Sequence, residues 1–175
     1  FPLASCTKAF TTAALATLVD DGKLAWDDPV RKHLPTFHLS EPAADQLVSL
    51  RDLVTHRTGL AGHDLLWYRA PGSLSESIKR ARYLPLSGPF RGSYHYSSLM
   101  FAAAGTAAAN RAGVPWDELV RTRITGPLGM TGVTFTATEA EKAKDRASGH
   151  RRDADGSSVA MDGWSPKSPD PVSYT

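Results

Sequence analysis

Residues 1–10 read Phe1-Pro2-Leu3-Ala4-Ser5-Cys6-Thr7-Lys8-Ala9-Phe10 and lead into a stretch rich in alanine and leucine that ends near Asp20. Both residue types favour helix, and a serine can cap a helix by accepting a backbone N–H group. Glycine commonly follows the last residue of a helix, as Gly22 does here. The pattern therefore predicts a buried helix from about Ser5 to Asp20, capped by Ser5.

Ser5 and Lys8 are three residues apart, which places their side chains on one face of that helix and within reach of each other. A serine hydroxyl is a poor nucleophile until a base takes its proton, and a neighbouring lysine can assist that transfer. A helix N-terminus also favours an oxyanion, because its backbone N–H groups carry partial positive charge. The spacing alone is weak evidence for a catalytic pair, because a capping serine followed by a solvated lysine gives the same S-x-x-K tetrapeptide.

The rest of the chain is predicted to be mostly helical. The pair Ser49 and Asp52 is typical of a capping box, and Gly113 follows an alanine-rich stretch. The predicted helices run from Ser49 to Thr55, from Ser73 to Tyr83, from Ser97 or Ser98 to about Ala112, and from Trp116 to near Ile124. After Thr136 the pattern predicts at most a helical turn from Glu139 to Arg146. We interpret Arg151 to Thr175 as a surface loop or a segment that needs further neighbours to fold.

Four later segments resemble landmarks of one enzyme family. They are Leu53-Val54-Thr55-His56-Arg57-Thr58-Gly59-Leu60, Tyr96-Ser97-Ser98, Gly126-Pro127-Leu128-Gly129-Met130 and Ala147-Ser148-Gly149-His150. With Ser5-Cys6-Thr7-Lys8 before them, they follow the order found in penicillin-binding proteins and class C β-lactamases. The chain therefore resembles this group of serine hydrolases over nearly its whole length.

The resemblance implies an α+β fold in which helices pack on an antiparallel sheet. Residues 1–136 would hold the nucleophile helix and the helical region, and residues 137–175 a loop-rich tail that leads to the sheet. We expect the chain to be an incomplete part of such a domain, because it opens directly on the S-x-x-K segment.

The resemblance also implies acyl transfer through a serine ester, with Ser5 as nucleophile, Lys8 beside it and Tyr96 sharing the proton transfers. It implies neither a metal nor an organic cofactor. The substrate would be a D-amino-acid peptide, a β-lactam or an ester, and the family spans all three. By family habit the protein would be extracytoplasmic, periplasmic or secreted. The sequence does not indicate an oligomeric state.

Two departures from the family pattern leave alternatives open. Ser98 stands where the family has asparagine, and its hydroxyl is shorter than an amide that both donates and accepts. Ser98 could contact Lys8 or substrate, or the protein could be a non-catalytic relative that binds cell-wall peptides or partners. The family's third motif, K-T-G or H-x-G, is not found after Tyr96. We interpret the earlier Arg57-Thr58-Gly59 as a structural turn.

Composition excludes several other classes of function. The 175 residues carry a net charge of +2 with dispersed lysine and arginine, so no basic surface for nucleic acid is indicated. No apolar stretch is long enough for a membrane span, and no G-x-S-x-G elbow is present. The six histidines form no metal-binding spacing. The single cysteine, Cys6, is predicted to be buried and inert.

A helical interaction domain with accidental matches is the remaining alternative, and it predicts that Ser5, Lys8 and Tyr96 lie far apart.

Overall fold

The computed structural model describes residues 2–66 and 72–161, in which helices surround the core and one short antiparallel sheet lies at the C-terminal side. The α-helices in chain order are α1 (Thr7–Asp20), α2 (Val30–His33), α3 (Pro42–Leu47), α4 (Leu50–Val54), α5 (Leu74–Arg80), α6 (Ser98–Ala112), α7 (Trp116–Val120) and α8 (Ala137–Lys142). Short 3-10 turns span Ala4–Cys6, Asp64–Leu66 and Ala81–Tyr83, and a π-helical turn, Arg121–Thr125, continues α7. The sheet consists of β1 (His150–Arg152) and β2 (Ser158–Ala160).

The two long helices, α1 and α6, pack against each other and form the centre of the core. Leu15 and Leu18 of α1 are fully buried, and so are Met100 and the alanines in the middle of α6. Small alanine side chains let the two helix backbones approach closely. Helices α2, α4 and α5 pack around α6, so the N-terminal ends of the two long helices are held by the same core that fixes their axes.

The predicted helix ends are confirmed where the local chemistry is strong. Gly22 and Gly113 follow α1 and α6 with φ of 69° and 74°, a left-handed conformation that glycine adopts without steric cost. Ser49 caps α4 and Ser73 caps α5, each in a reciprocal box with an acid three residues later. Helix α3, with Pro42 in its first turn, was not predicted from the sequence.

The predicted cap of the first helix is wrong. Ser5 lies within the 3-10 turn Ala4–Cys6, and α1 begins only at Thr7 with no side-chain cap. The hydroxyl of Ser5 therefore makes no capping hydrogen bond to the backbone of α1. Instead it contacts side chains of other parts of the chain.

The region after Thr136 has more regular structure than the pattern suggested. Helix α8 begins after Thr136, whose side chain accepts the N–H of Glu139. Strands β1 and β2 then form a hairpin in which His150 pairs with Ala160 and all strand residues are exposed. Residues 162–175, the end of the predicted loop, lie outside the described residues. Over the described ranges, no helix is both long and apolar enough to cross a bilayer.

Candidate active site

Ser5 lies at the surface, immediately before the buried length of α1. Its residue is exposed, so its hydroxyl is open to an incoming molecule. Ala4, just before it, has φ of 47°, a conformation that residues with a Cβ rarely adopt and that often marks a functional turn. The N–H of Cys6 donates to the carbonyl of Leu3 at 3.0 Å, and the N–H of Thr7 donates to the carbonyls of Ala4 and Ser5. What the turn offers the Ser5 oxygen is therefore the positive end of the α1 dipole.

Lys8 connects Ser5 with the N-terminus of α6. Its residue is only 7% exposed, although it carries a charged group. The Nζ atom donates to Ser98 Oγ at 3.1 Å and lies 3.5 Å from Ser5 Oγ. The second distance is at the long limit of a hydrogen bond, as is common in active sites without substrate.

The charge of Lys8 is balanced by hydroxyls and aromatic rings. Its Nζ atom lies 4.9 Å from the centre of the Tyr96 ring and 5.5 Å from that of Phe101. These ring faces attract a cation, but less strongly than a carboxylate does. Among the ion pairs of the described residues, none includes Lys8. Lys8 is therefore a buried cation without an acidic partner in this part of the chain.

Tyr96 reaches Ser5 from the extended segment that precedes α6. Its hydroxyl donates to Ser5 Oγ at 2.6 Å, the short contact of the site. The side of the ring away from the core remains open, since 43% of the residue is exposed. The structure thus brings Ser5, Lys8 and Tyr96 together, although 91 residues separate Ser5 from Tyr96.

The surroundings of Tyr96 favour loss of its proton. Burial alone acts to raise the pKa of the phenol, because it penalises the phenolate. Hydrogen bonds with Lys8, Ser5 and Ser98, together with the charge of Lys8, outweigh that effect and lower the pKa of Tyr96 below its ordinary value of 10.0. A lowered pKa makes the phenolate a more available proton acceptor near neutral pH.

Ser98 is the first residue of α6 and lies in the same group of side chains. Its residue is 5% exposed, and its Oγ accepts the hydrogen bond from Lys8. A serine arm is therefore long enough to reach Lys8 from this position. We refer to Ser5, Lys8, Tyr96 and Ser98 as the serine–lysine cluster.

A second buried polar group lies on α4 and the loop before Tyr96. Arg91 donates to both carboxylate oxygens of Asp52, at 2.9 and 2.7 Å, and Ser49 donates to Asp52 from its N–H and its hydroxyl. Burial acts to raise the pKa of Asp52, but the bonds from Arg91 and Ser49 lower it overall. We refer to Ser49, Asp52 and Arg91 as the aspartate–arginine cluster.

His56 belongs to the site but was not singled out from the sequence. It is 7% exposed, and its ring packs against Tyr96 with centroids 4.6 Å apart. Its Nδ1 atom accepts the backbone N–H of Ser97 at 3.1 Å. The only sequence signal was its place inside the segment Leu53–Leu60, because periodicity does not show that α4 and the start of α6 meet.

The other candidates lie outside the cluster. Tyr94, two residues before Tyr96 and a second tyrosine in the same segment, is 66% exposed and contacts the ring of His56 edge-on. The prediction that Cys6 is buried is wrong, because the 3-10 turn leaves its side chain exposed. Thr58-Gly59 forms a tight turn, where a Cβ on Gly59 would collide with the carbonyl oxygen of Gly88. In the described ranges, no three His, Cys, Asp or Glu side chains group as metal ligands.

Comparisons with known proteins all identify relatives of the same family. A model of the beta-lactamase family matches residues 1–170. The unguisins hydrolase of Aspergillus campestris is 34% identical over 160 residues, which cover 86% of this chain and 30% of that protein. Esterase EstB of Burkholderia gladioli is 32% identical over 161 residues, which cover 81% of this chain and 40% of that protein. The chain therefore spans between 30% and 40% of the length of these two relatives.

The solved structures agree on the fold. The octameric penicillin-binding protein homologue from Pyrococcus abyssi superposes with a TM-score of 0.77 and 27% identity, over 97% of this chain and 41% of that chain. FmtA from Staphylococcus aureus superposes with a TM-score of 0.79 over 99% of this chain and 47% of its own, at 22% identity. The chain belongs to the beta-lactamase family and has the fold of penicillin-binding proteins, of which it contains mostly the helical part.

Proposed function

We propose that the protein is a serine hydrolase that acts through an acyl-enzyme, with Ser5 as nucleophile, Lys8 as the buried cation and Tyr96 as the proton carrier. The observation that carries the proposal is the 2.6 Å contact between Tyr96 OH and Ser5 Oγ beside the Lys8 ammonium. A nucleophile, a group that can take its proton and a cation that favours that transfer are what acyl transfer requires.

In the first step, Tyr96 acts as a phenolate and accepts the proton of Ser5 Oγ. The Oγ lone pair forms a bond to the acyl carbon of the substrate, and the electron pair of the C=O bond moves to its oxygen. The positive end of the α1 dipole stabilises this oxyanion. Collapse of the intermediate breaks the bond to the leaving group, which takes the proton from Tyr96.

In the second step, water hydrolyses the ester on Ser5. A water molecule gives one proton to Tyr96 as its oxygen bonds to the acyl carbon, and Ser5 Oγ then leaves and takes that proton. Lys8 remains charged through both steps and stabilises the phenolate. General-base transfer of this kind contributes about 10²- to 10⁴-fold to a rate.

The substrate class is an acyl compound whose carbonyl can reach an exposed serine: a D-amino-acid peptide, a β-lactam or an ester. The names of the two relatives, an unguisins hydrolase and an esterase, support hydrolysis, and the second name supports an ester as one kind of substrate. The position of Ser98 supports a working site over the binding-only alternative, because its hydroxyl accepts from Lys8 as a longer amide oxygen could.

The test is the intact mass of the full-length protein after exposure to a fluorophosphonate and, separately, to a penicillin. We expect one adduct per chain with the fluorophosphonate, its loss in Ser5→Ala and its retention in Cys6→Ala, which changes the neighbouring exposed thiol. Reaction with penicillin would assign the cell-wall type of substrate, and reaction with the fluorophosphonate alone the ester type. A folded protein that gives no adduct with either reagent would contradict the proposal and leave the binding-only alternative.

A further inference from the structure

His56 occupies a backbone position that usually takes a smaller residue. It is the second residue after α4, which ends at Val54, and has φ of 58°; the next N–H group, that of Arg57, donates to the carbonyl of Asp52 at 3.2 Å. This arrangement ends many helices, and glycine or asparagine normally takes the left-handed residue. A buried histidine there is both strained and poorly hydrated, so its ring must make contacts that a smaller residue would lack.

Those contacts hold both sides of Tyr96. The carbonyl of His56 accepts the N–H of His95 at 2.9 Å, and its Nδ1 atom accepts the N–H of Ser97 at 3.1 Å. One residue therefore binds the backbone immediately before and immediately after Tyr96. Since Ser97 also precedes the first turn of α6, the same bond fixes the start of the helix that carries Ser98.

The ring of His56 also supports the ring of Tyr96 from the side of the core. The two ring centres are 4.6 Å apart at 33°, while Phe101 packs on His56 at 5.0 Å. Backbone and ring contacts together leave Tyr96 little freedom to move away from Ser5. A displacement of about 1 Å in a catalytic group can lower a rate by about 100-fold.

We propose that His56 is a positioning residue that, as the neutral ring protonated at Nε2, keeps Tyr96 OH in contact with Ser5 Oγ. The inference rests on the proposed function of Tyr96 and extends it to a residue that touches neither substrate nor Ser5. An Nδ1 atom that accepts the Ser97 N–H cannot carry a proton, so the ring must be neutral while it holds the segment.

The charged surroundings of His56 favour that neutral ring. Burial, and after it the positive charge of Lys8 from α1, lower the pKa of His56 below its ordinary value of 6.5. The other titratable groups that face the ring, Tyr94 and Tyr96, come from the segment before α6. As pH falls through this lowered pKa, the ring gains a proton at Nδ1, loses the bond to Ser97 and repels Lys8.

Two substitutions separate the ring acceptor from the strained backbone. His56→Gly relieves the strain of the left-handed conformation, but it removes the Nδ1 acceptor and the ring. His56→Asn tolerates the same conformation and places Oδ1 one bond from Cγ, as Nδ1 is, but it does not titrate. Both are made in the full-length protein, and urea unfolding is measured for each to show that it folds.

We expect the rate constant for phosphonylation of Ser5 by the fluorophosphonate, in which Oγ bonds to phosphorus and fluoride leaves, to fall about 10- to 100-fold in His56→Gly. His56→Asn should recover most of that loss. In the wild type the rate should fall on the acid side as His56 gains its proton, and in His56→Asn this acid step should be absent. A folded His56→Gly that reacts at the wild-type rate, or a His56→Asn that is as slow as His56→Gly, would overturn the proposal.

Amide hydrogen exchange tests the same inference without any catalytic readout. The protection factor of the Ser97 amide should fall about tenfold in His56→Gly and stay unchanged in His56→Asn, because only the glycine variant lacks a side-chain acceptor. The His95 amide is the internal control, since its acceptor is the backbone carbonyl of residue 56 in every variant. Unchanged protection of Ser97 would refute the positioning role, whereas an unreactive wild type with the expected exchange would refute only the proposed function.

Discussion

Two polar clusters in the described part of the chain, each built around a buried charged group, compensate their charges in opposite ways. In the aspartate–arginine cluster, the Asp52 carboxylate receives two bonds from Arg91 and two from Ser49, so every part of its charge has a partner. In the serine–lysine cluster, the partners of the Lys8 ammonium among the described residues are hydroxyls and ring faces. A buried charge without a counter-charge destabilises a fold. If the proposed function holds, the difference separates a group that stabilises the fold from one that serves the reactivity of Ser5.

The largest expected effect follows replacement of Lys8 by methionine, which keeps the length and removes the charge. We expect acylation of Ser5 to slow by about 10³-fold or more, because Tyr96 loses the cation that favours its phenolate. The urea midpoint should be unchanged or higher, since an apolar side chain replaces an unpaired buried cation. Steady-state hydrolysis and urea titration measure the two quantities, and a marked loss of stability with normal activity would reverse the comparison.

Tyr96→Phe keeps the ring that packs on His56 and removes the hydroxyl that contacts Ser5. The expected loss of acylation rate is about 10²- to 10³-fold, the contribution of one proton-transfer group. In the wild type the rate should rise with pH towards the lowered pKa of Tyr96, and this rise should vanish in the variant. A pH–rate profile checks the assignment, and the same alkaline rise in Tyr96→Phe would exclude Tyr96 as its source.

Asp52→Asn changes the aspartate–arginine cluster and should lower the stability of the fold. We expect a loss of about 2 kcal/mol, below the roughly 3–5 kcal/mol of a fully buried pair, because Arg91 is half exposed. The folded pKa of Asp52 is lowered, so its contribution is complete above pH 4 or so and is lost as pH falls through the folded value. Urea unfolding at several pH values measures it. A wild type and Asp52→Asn that lose stability equally on acidification would contradict this role.

The smallest effect is expected for Ser98→Ala, which removes one acceptor from Lys8. The rate should fall by about 3- to 30-fold, because Lys8 retains Ser5 and the two aromatic rings while one hydrogen bond of about 1–2 kcal/mol is lost. Ser98→Asn, which restores the family residue, is the matched variant and should retain most of the activity. Steady-state rates of both variants are measured. A slow Ser98→Ala beside an active Ser98→Asn would show that residue 98 holds Lys8, whereas a Ser98→Ala at the wild-type rate would show that it does not.

The parts of the fold that sequence could predict are those governed by neighbouring residues. Gly22, Gly113 and the capping box of α4 act within one helical turn, so neighbouring residues determine these helix ends. The resemblance supplied Ser5, Lys8 and Tyr96 as one group, and the structure brings their side chains together. Their catalytic roles remain a proposal.

Two of the errors, on Ser5 and His56, come from contacts between distant segments, and the other two come from local geometry that the pattern does not show. Ser5 was predicted to cap a helix, but its hydroxyl binds Tyr96, which is 91 positions away. Cys6 was predicted to be buried, but the 3-10 turn rotates it to the surface. His56 was overlooked because its acceptor role depends on Ser97, a residue that no local pattern joins to α4. The hairpin after residue 149 was missed because its strands are short and exposed on both faces.

The most direct test of this account compares Lys8→Met and Asp52→Asn in the full-length protein. For each variant and the wild type, one measures the second-order rate of fluorophosphonate labelling at Ser5 and the urea midpoint in the same buffer. The account predicts that Lys8→Met labels at least 100-fold more slowly at an unchanged or higher midpoint. It predicts that Asp52→Asn labels at nearly the wild-type rate with a lower midpoint. Labelling of Lys8→Met at the wild-type rate would contradict the central claim that the unpaired cation serves the reactivity of Ser5.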